Sequence, residues 1–430
     1  MQPDRPNFLL VHCHDLGTEL GAYGRPGVQS PSLDALAATA WRFDNAFCTA
    51  PQCSPSRGSL FTGRYPHANG LMGLAHLGWE YHPDERTLPA LLRPGGYRSA
   101  LIGLQHESAD PATLGFDEVH SPEPKLGAEE VATHTAAWLT VPRREPFLLT
   151  VGFTETHRPF THPPLEADHA TVPPYLPDHP GTREDLAAFH GSVKVADAAV
   201  GAILDALDRS PHADSTWVVF TTDHGPAFPR AKGTLYDPGL RVALLVRPPR
   251  RSGAVGGVVE RAVSLVDFVP TVLELAGLAV PSRVQGRSFA PLLRGEPMVP
   301  AEVVYAEKTS HRGYDPMRCV RALGFKYIRS YETRPRLVLP TDIEASPTRR
   351  GMDDEHLRPR DPEELYDLES DPDEQCNLAS DPAYAVIRSR LGAALERWQR
   401  ATGDPLIHGP IAEPPLPGRT TGALVQNGRP

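Results

Sequence analysis

Asn7-Phe8-Leu9-Leu10-Val11-His12-Cys13 runs straight into His14-Asp15-Leu16-Gly17. The first stretch is short and mainly apolar. Such a run suits a strand covered on both faces, the pattern of a parallel sheet packed between helices. It stops at two ionisable residues and a glycine. That places His14 and Asp15 at the carboxyl edge of a sheet, where open α/β sheets bind their ligands.

The same pattern recurs along the chain. Ser99 to Gly103 is a strand candidate ending near Gln105-His106-Glu107, and Phe147 to Phe153 is another, with His157 just beyond. Trp217 to Thr222 ends in Asp223-His224-Gly225, and Val242 to Val246 is a further strand. Helical patterns lie between them. Ser30-Pro31 reads as an N-cap followed by a first-turn proline. Thr182 to Ser210 is the clearest helix: Thr182 and Asp185 look like a capping box, and Leu186, Phe189, Val193, Ala196 and Val200 recur at helical steps. Asp267 to Ala276 reads as another helix. Residues 154–182, rich in Pro and His, read as a long ordered loop, of a length that is usually functional or disordered. Strands alternating with helices predict an α/β fold with a mixed, mainly parallel sheet covered by helices.

The pattern changes near 296. Val303 to Glu307, Arg318 to Leu323 and Phe325 to Tyr331 read as short antiparallel strands, and residues 340–362 as polar loop. Asp381 to Thr402 is an amphipathic helix, and 403–430 a Pro/Gly-rich tail. The expected organisation is therefore a catalytic domain over 1–295 and a small α+β subdomain over 296–430.

Composition narrows the function. The 430 residues carry 43 Lys+Arg against 53 Asp+Glu, a net charge of −10, so general nucleic-acid binding is not expected. No apolar run approaches the roughly 20 residues of a membrane span, so no membrane partner is expected. Five cysteines at irregular spacing form no zinc or disulfide framework. Met1 to Pro6 shows no charged-then-apolar leader, and a cytoplasmic protein is expected.

The strongest local signal is Cys53-Ser54-Pro55-Ser56-Arg57, continuing to Leu60-Phe61-Thr62-Gly63-Arg64. With Asp15 and Gly17, Thr222-Asp223-His224-Gly225, Lys232-Gly233-Thr234 and Glu364-Leu365-Tyr366-Asp367-Leu368, it resembles the formylglycine-dependent sulfatases of the alkaline-phosphatase superfamily. The resemblance extends over almost the whole chain. It implies an alkaline-phosphatase-like fold and oxidation of Cys53 to formylglycine by a formylglycine-generating enzyme. It also implies one divalent metal, usually calcium, at Asp15, Asp223 and His224, and a sulfated small molecule or sugar as substrate. Arg57 would hold the nucleophile and the metal-site carboxylates, Lys232 would bind sulfate, and His106 and His157 match the family's active-site histidines. The chemistry suits the place: a helix opening at Cys53 offers free N–H groups and a positive dipole end to an anion.

Two departures stand out. His14 replaces the first of the family's paired aspartates, and Leu104 follows Gly103 where a lysine is usual. His14 is expected to face the metal as ligand or as neighbouring donor. Swapping a carboxylate for imidazole weakens the case for calcium and favours manganese or zinc. Tyr314-Asp315-Pro316-Met317-Arg318 and Phe228-Pro229 resemble the N-sulfoglucosamine sulfohydrolase branch, which cleaves an N-sulfate. The alternatives are a phosphonate or phosphodiester hydrolase of the same superfamily, or a non-catalytic anion-binding homologue.

Overall fold

The computed structural model describes residues 5–167, 170–297 and 303–415. Its main sheet has eight strands. Their order in space is Glu118–His120, Arg98–Gly103, Phe147–Gly152, Asn7–Cys13, Thr216–Thr222, Leu244–Arg247, Trp41–Phe43 and Val258–Val259. Leu244–Arg247 runs against its neighbours and the other seven share one direction. This is the mixed, mainly parallel sheet expected from the sequence.

All seven residues of Asn7–Cys13 are buried, because it is a central strand covered on both sides. Successive side chains point to opposite faces. Phe8 and Leu10 join a core with Phe268, Val269 and Leu273, whereas Leu9 and Val11 join another with Phe189, Val193 and Val200.

The long helix spans Pro180–Arg209, two residues earlier than the sequence suggested. His179 caps it, its Nδ1 accepting from Gly181 N at 3.0 Å, and Pro180 takes the first helical position. Thr182 and Asp185 therefore form no capping box. Asp185 is turned to Arg158 and Thr348 instead. By length and composition this helix could cross a membrane, but 67% of its apolar window is buried inside the protein, as befits a core helix. The strand expected from Val242 starts at Leu244. Val242 N donates to Ala46 O and Ala243 N to Gly17 O, so neither amide is available to the sheet.

Val303–Ser310, Tyr314–Ala322, Phe325–Ser330 and Glu363–Asp367 form a second, antiparallel sheet. The helix Ala385–Thr402 lays Leu391, Leu395 and Trp398 against its Val320, Tyr327 and Leu365. The segment read as loop over 340–362 holds short helical turns, including Thr341–Glu344. This sheet abuts the first half of the chain: Glu307 N donates to Thr49 O at 2.8 Å, and Gln52 Nε2 to Ser310 O at 3.1 Å. The boundary drawn at 295/296 lies beside residues 298–302, outside the described residues, as does the end of the tail from 416.

Candidate active site

Two strands and one helix set the site. Asn7–Cys13 delivers His14 and Asp15, and the adjacent parallel Thr216–Thr222 delivers Asp223 and His224. The chain leaves the first strand at Asp15, whose φ is +43°. Gly17 follows at φ +58°, where a Cβ would lie 2.9 Å from Pro226 Cδ, so glycine is required. This turn lets the two consecutive side chains, His14 and Asp15, share one site.

Cys53 is the first residue of the helix Cys53–Thr62, all ten residues of which are buried. Its Sγ lies 3.3 Å from His224 Nε2 and 3.8 Å from Asp15 Oδ1. One turn on, Arg57 Nε and Nη2 each sit 3.1 Å from Asp223 Oδ2, and Nη2 also donates to Cys13 O at 3.2 Å. Its Nη1 reaches His12 Nδ1 at 2.5 Å. Arg57 thus clamps the ends of both strands through Asp223 and the Cys13 carbonyl. Asp223 Oδ1 accepts from the amides of Asp15 and His224, both at 2.9 Å. His224 Nδ1 is within 2.8 Å of Gly225 O, which directs Nε2 at Cys53 and at Asp15 Oδ1, 3.1 Å away.

Lys232 Nζ reaches Asp15 Oδ2 at 2.6 Å, Asp342 Oδ2 at 3.1 Å and His157 Nε2 at 3.2 Å. His106 faces Cys53 from the other side, and Cys53, His14 and His106 bring their donor atoms within 4.8 Å of one another. The nine residues singled out in the sequence therefore converge on one buried locus. His14 points into it, with Nδ1 3.0 Å from Asp223 Oδ2 and 3.6 Å from Asp15 Oδ1. Leu104 is buried and its amide donates to Gly152 O.

Burial is the largest influence on each of these groups and opposes their charge; in most of them opposite charges outweigh it. Lys232, His157 and His224 hold Asp15 well below the usual carboxylate range, and His224 and Arg57 do so for Asp223. His14 rises to about 10 despite burial and Arg57, because Asp223, Cys53 and Asp15 favour its cation. His14, Lys232 and His224 pull the Cys53 thiol well below its usual range. His106 goes the other way, lowered mainly by burial.

Donor atoms of His14, Asp15, Cys53 and Asp223 lie within 4.8 Å of one another. The buried His14 Nδ1 makes no hydrogen bond although two carboxylates converge on it. Two carboxylates with one or two imidazoles are a fitting donor set for a divalent cation, softer than an all-oxygen site.

Three further residues at this locus were not singled out from the sequence. Asp342 sits on Thr341–Glu344, within a polar stretch that gives no hint which acid turns inward. His76 stacks on His106 with centroids 5.5 Å apart. His311 is held to about 3 by burial and by Lys232 and Lys308.

The sulfatase family model matches residues 6–278, and the N-sulphoglucosamine sulphohydrolase C-terminal model matches 230–349. The chain is 31% identical to the human N-sulphoglucosamine sulphohydrolase, covering 94% of this chain and 92% of that protein. It shares its fold with a structure solved in complex with its substrate D-glucosamine-2-N,6-O-disulfate, at TM-score 0.74, 20% identity and coverage of 95% and 99%. The phosphonate monoester hydrolase of Agrobacterium radiobacter has the same fold, at TM-score 0.74, 20% identity and coverage of 96% and 100%. A family match across residues 6–278, together with a relative above 30% identity along nearly its whole length, shows that this chain belongs to the sulfatase family, on the branch that carries the N-sulphoglucosamine sulphohydrolase C-terminal region, and is an enzyme.

Proposed function

We propose that this enzyme removes a sulfate group, as an ester or an N-sulfate, from a sugar through a formylglycine made from Cys53. The observation that carries this reading is the placement of residue 53. It opens a buried helix, its side chain lies 3.3 Å from His224 Nε2, and Lys232 and Arg57 flank the carboxylates beside it. A hydrated formylglycine supplies two hydroxyls on one carbon: one attacks sulfur, and loss of the proton from the other expels sulfate.

Asp15, Asp223 and His224, with His14 beside them, would hold the divalent ion. When bound, such an ion supplies Lewis acidity that makes a hydroxyl at position 53 a better nucleophile. Calcium is the family's usual choice, and the imidazoles widen the range to manganese or zinc. The chain's own residues do the rest. Lys232 offers a point charge to sulfate oxygens, and the start of Cys53–Thr62 adds N–H groups and a positive dipole end. His157, next to Lys232 and partly exposed, would protonate the departing oxygen or nitrogen. His106 faces residue 53 and is suited to take its proton.

The test is mass analysis of the peptide containing residue 53, after co-expression with a formylglycine-generating enzyme. The expected mass is that of the aldehyde or its hydrate, and Cys53→Ala should abolish turnover. Parallel assays with an aryl sulfate, an aryl phosphonate and an aryl phosphodiester separate this reading from a phosphonate or phosphodiester hydrolase.

A further inference from the structure

Cys53 as a thiol is a different ligand from Cys53 converted to formylglycine. Its Sγ shares one locus with His14 and His106, the three donor atoms all lying within 4.8 Å of one another. His14 leaves the central strand Asn7–Cys13, and His106 follows Arg98–Gly103, two strands away in the same sheet. Their rings meet edge to face, with centroids 5.4 Å apart and planes at 70°. Cys53 and His14 are each 2% exposed, and the buried Nδ1 atoms of both His14 and His106 make no hydrogen bond. From this geometry we infer that the folded chain, while residue 53 is still cysteine, holds a zinc ion on Cys53, His14 and His106. This set differs from the one proposed for the working ion, which uses Asp15, Asp223 and His224. The thiol site stands without the formylglycine reading; only its loss on conversion of Cys53 rests on that reading.

Ligand softness selects the ion. One thiolate and two imidazoles suit zinc and offer calcium no oxygen. Three protein ligands leave a fourth position for water, the arrangement of an open zinc site. A tetrahedral zinc, bonded at about 2.3 Å to sulfur and about 2.0 Å to nitrogen, needs its ligand atoms about 3.3–3.7 Å apart. Side-chain shifts of about 1 Å close the set from 4.8 Å to that spacing. The surrounding charge admits a cation. Lys232 and Arg57 are each held on a carboxylate, at 2.6 Å to Asp15 and 3.1 Å to Asp223. Those carboxylates also attract the ion: Asp15 Oδ1 lies 3.8 Å from Sγ, and Asp223 Oδ2 lies 3.0 Å from His14 Nδ1. His224 Nε2 is 3.3 Å from Sγ, but it faces the carboxylate side, 3.1 Å from Asp15 Oδ1. His76 stacks on His106 with centroids 5.5 Å apart and steadies that ring. His14 is what makes the set soft, because an aspartate at this position would offer a hard oxygen in place of the second imidazole. Conversion of Cys53 replaces its sulfur with oxygen and removes the thiolate.

The test is titration of cobalt(II) chloride and zinc chloride into the full chain, expressed without a formylglycine-generating enzyme and stripped with a chelator. Cobalt(II) should give the intense near-ultraviolet thiolate charge-transfer band and the visible bands of a four-coordinate ion, and added zinc should bleach both. The chain has other thiols, the exposed Cys376 among them, so Cys53→Ser identifies the sulfur. That variant should lose the charge-transfer band and bind zinc at least about 100-fold more weakly. His106→Ala, at a partly exposed position, should keep the urea midpoint of the metal-free chain and weaken zinc binding at least about tenfold. A wild type without the thiolate band overturns the site, and that measurement depends on no variant folding. A band that survives Cys53→Ser, or zinc affinity unchanged by His106→Ala, overturns it as well. After co-expression with a formylglycine-generating enzyme, the band should fall in proportion to the aldehyde found by mass analysis. Absence of any aldehyde counts against the formylglycine reading alone, because the cobalt band is read on the thiol form.

Discussion

Lys232 Nζ lies 2.6 Å from Asp15 Oδ2, with both side chains shut off from solvent. The ammonium is therefore held at the rim of the carboxylate cluster, where a sulfate would meet it. Replacing it with Ala would remove the counter-charge proposed for sulfate and take from Asp15 its nearest cation, leaving His224, His157 and His14. Lys232→Ala should lower kcat/KM for an aryl sulfate about 10²–10³-fold. It should also lower stability to urea, because the buried Asp15 loses the closest of the cations that hold it. Steady-state kinetics and urea melts on the same preparation read both effects.

Arg57→Lys should not be conservative. The guanidinium holds Asp223 Oδ2 with two nitrogens and the Cys13 carbonyl with one of them. A single ammonium cannot hold that fork. Arg57→Ala leaves Asp223 buried without its guanidinium and should cost about 3–5 kcal/mol. Arg57→Lys should lose an intermediate amount, measured from the shift of the urea midpoint.

Restoring a carboxylate at position 14 should change the metal. His14→Asp replaces an imidazole that lies 3.0 Å from Asp223 Oδ2 with a hard oxygen donor. Calcium affinity should rise about 10–100-fold, with selectivity for manganese and zinc falling. Calorimetric titrations with the three chlorides measure it. An unchanged order of preference would show that His14 has no part in the site.

The antiparallel sheet carries its own acid sensitivity. Asp315 is buried, which works against its charge, but Lys308 and Arg360 outweigh that and hold it at about 2 against the usual 3.8. Asp404 is also at about 2, where burial is outweighed by Arg318 at 2.7 Å. Both carboxylates bind protons less readily in the folded chain than in the unfolded one. Their stabilisation is complete above pH 3.8 and is lost as pH falls toward 2, about 2 kcal/mol for Asp315. Asp315→Asn should flatten the pH dependence of stability in that window. It should also lower stability at pH 7, since it leaves Lys308 and Arg360 without their carboxylate.

The central strands of the main sheet were legible because they are short apolar runs buried on both faces, most of them ending in site residues. Trp41–Phe43, Glu118–His120 and Val258–Val259, by contrast, are two or three residues long and partly exposed, and gave no such run. Phe8 to Val11 ending at Asp15, and Trp217 to Thr222 ending at Asp223, are the clearest cases. The cysteine motif was legible because its five residues act within one helical turn. Less visible was Glu363–Asp367, an edge strand beginning with two glutamates, which gives no apolar run. The start of the long helix was misread because Thr182 and Asp185 fit a cap, whereas tertiary contacts took Asp185 for Arg158. Asp342 was invisible because its partner Lys232 lies 110 residues away, and a polar segment does not announce which acid turns inward.

The burial of Cys53–Thr62 fixes an order of events. Cys53 is 2% exposed, and every residue of the helix after it is packed inside the protein. No second protein can grip this segment once the sheet and helices have closed around it. Any enzyme that oxidises Cys53 must meet the segment as a loose chain, so chemistry at this position competes in time with folding. A chain that folds first is locked in the thiol form, and only unfolding would give it another chance.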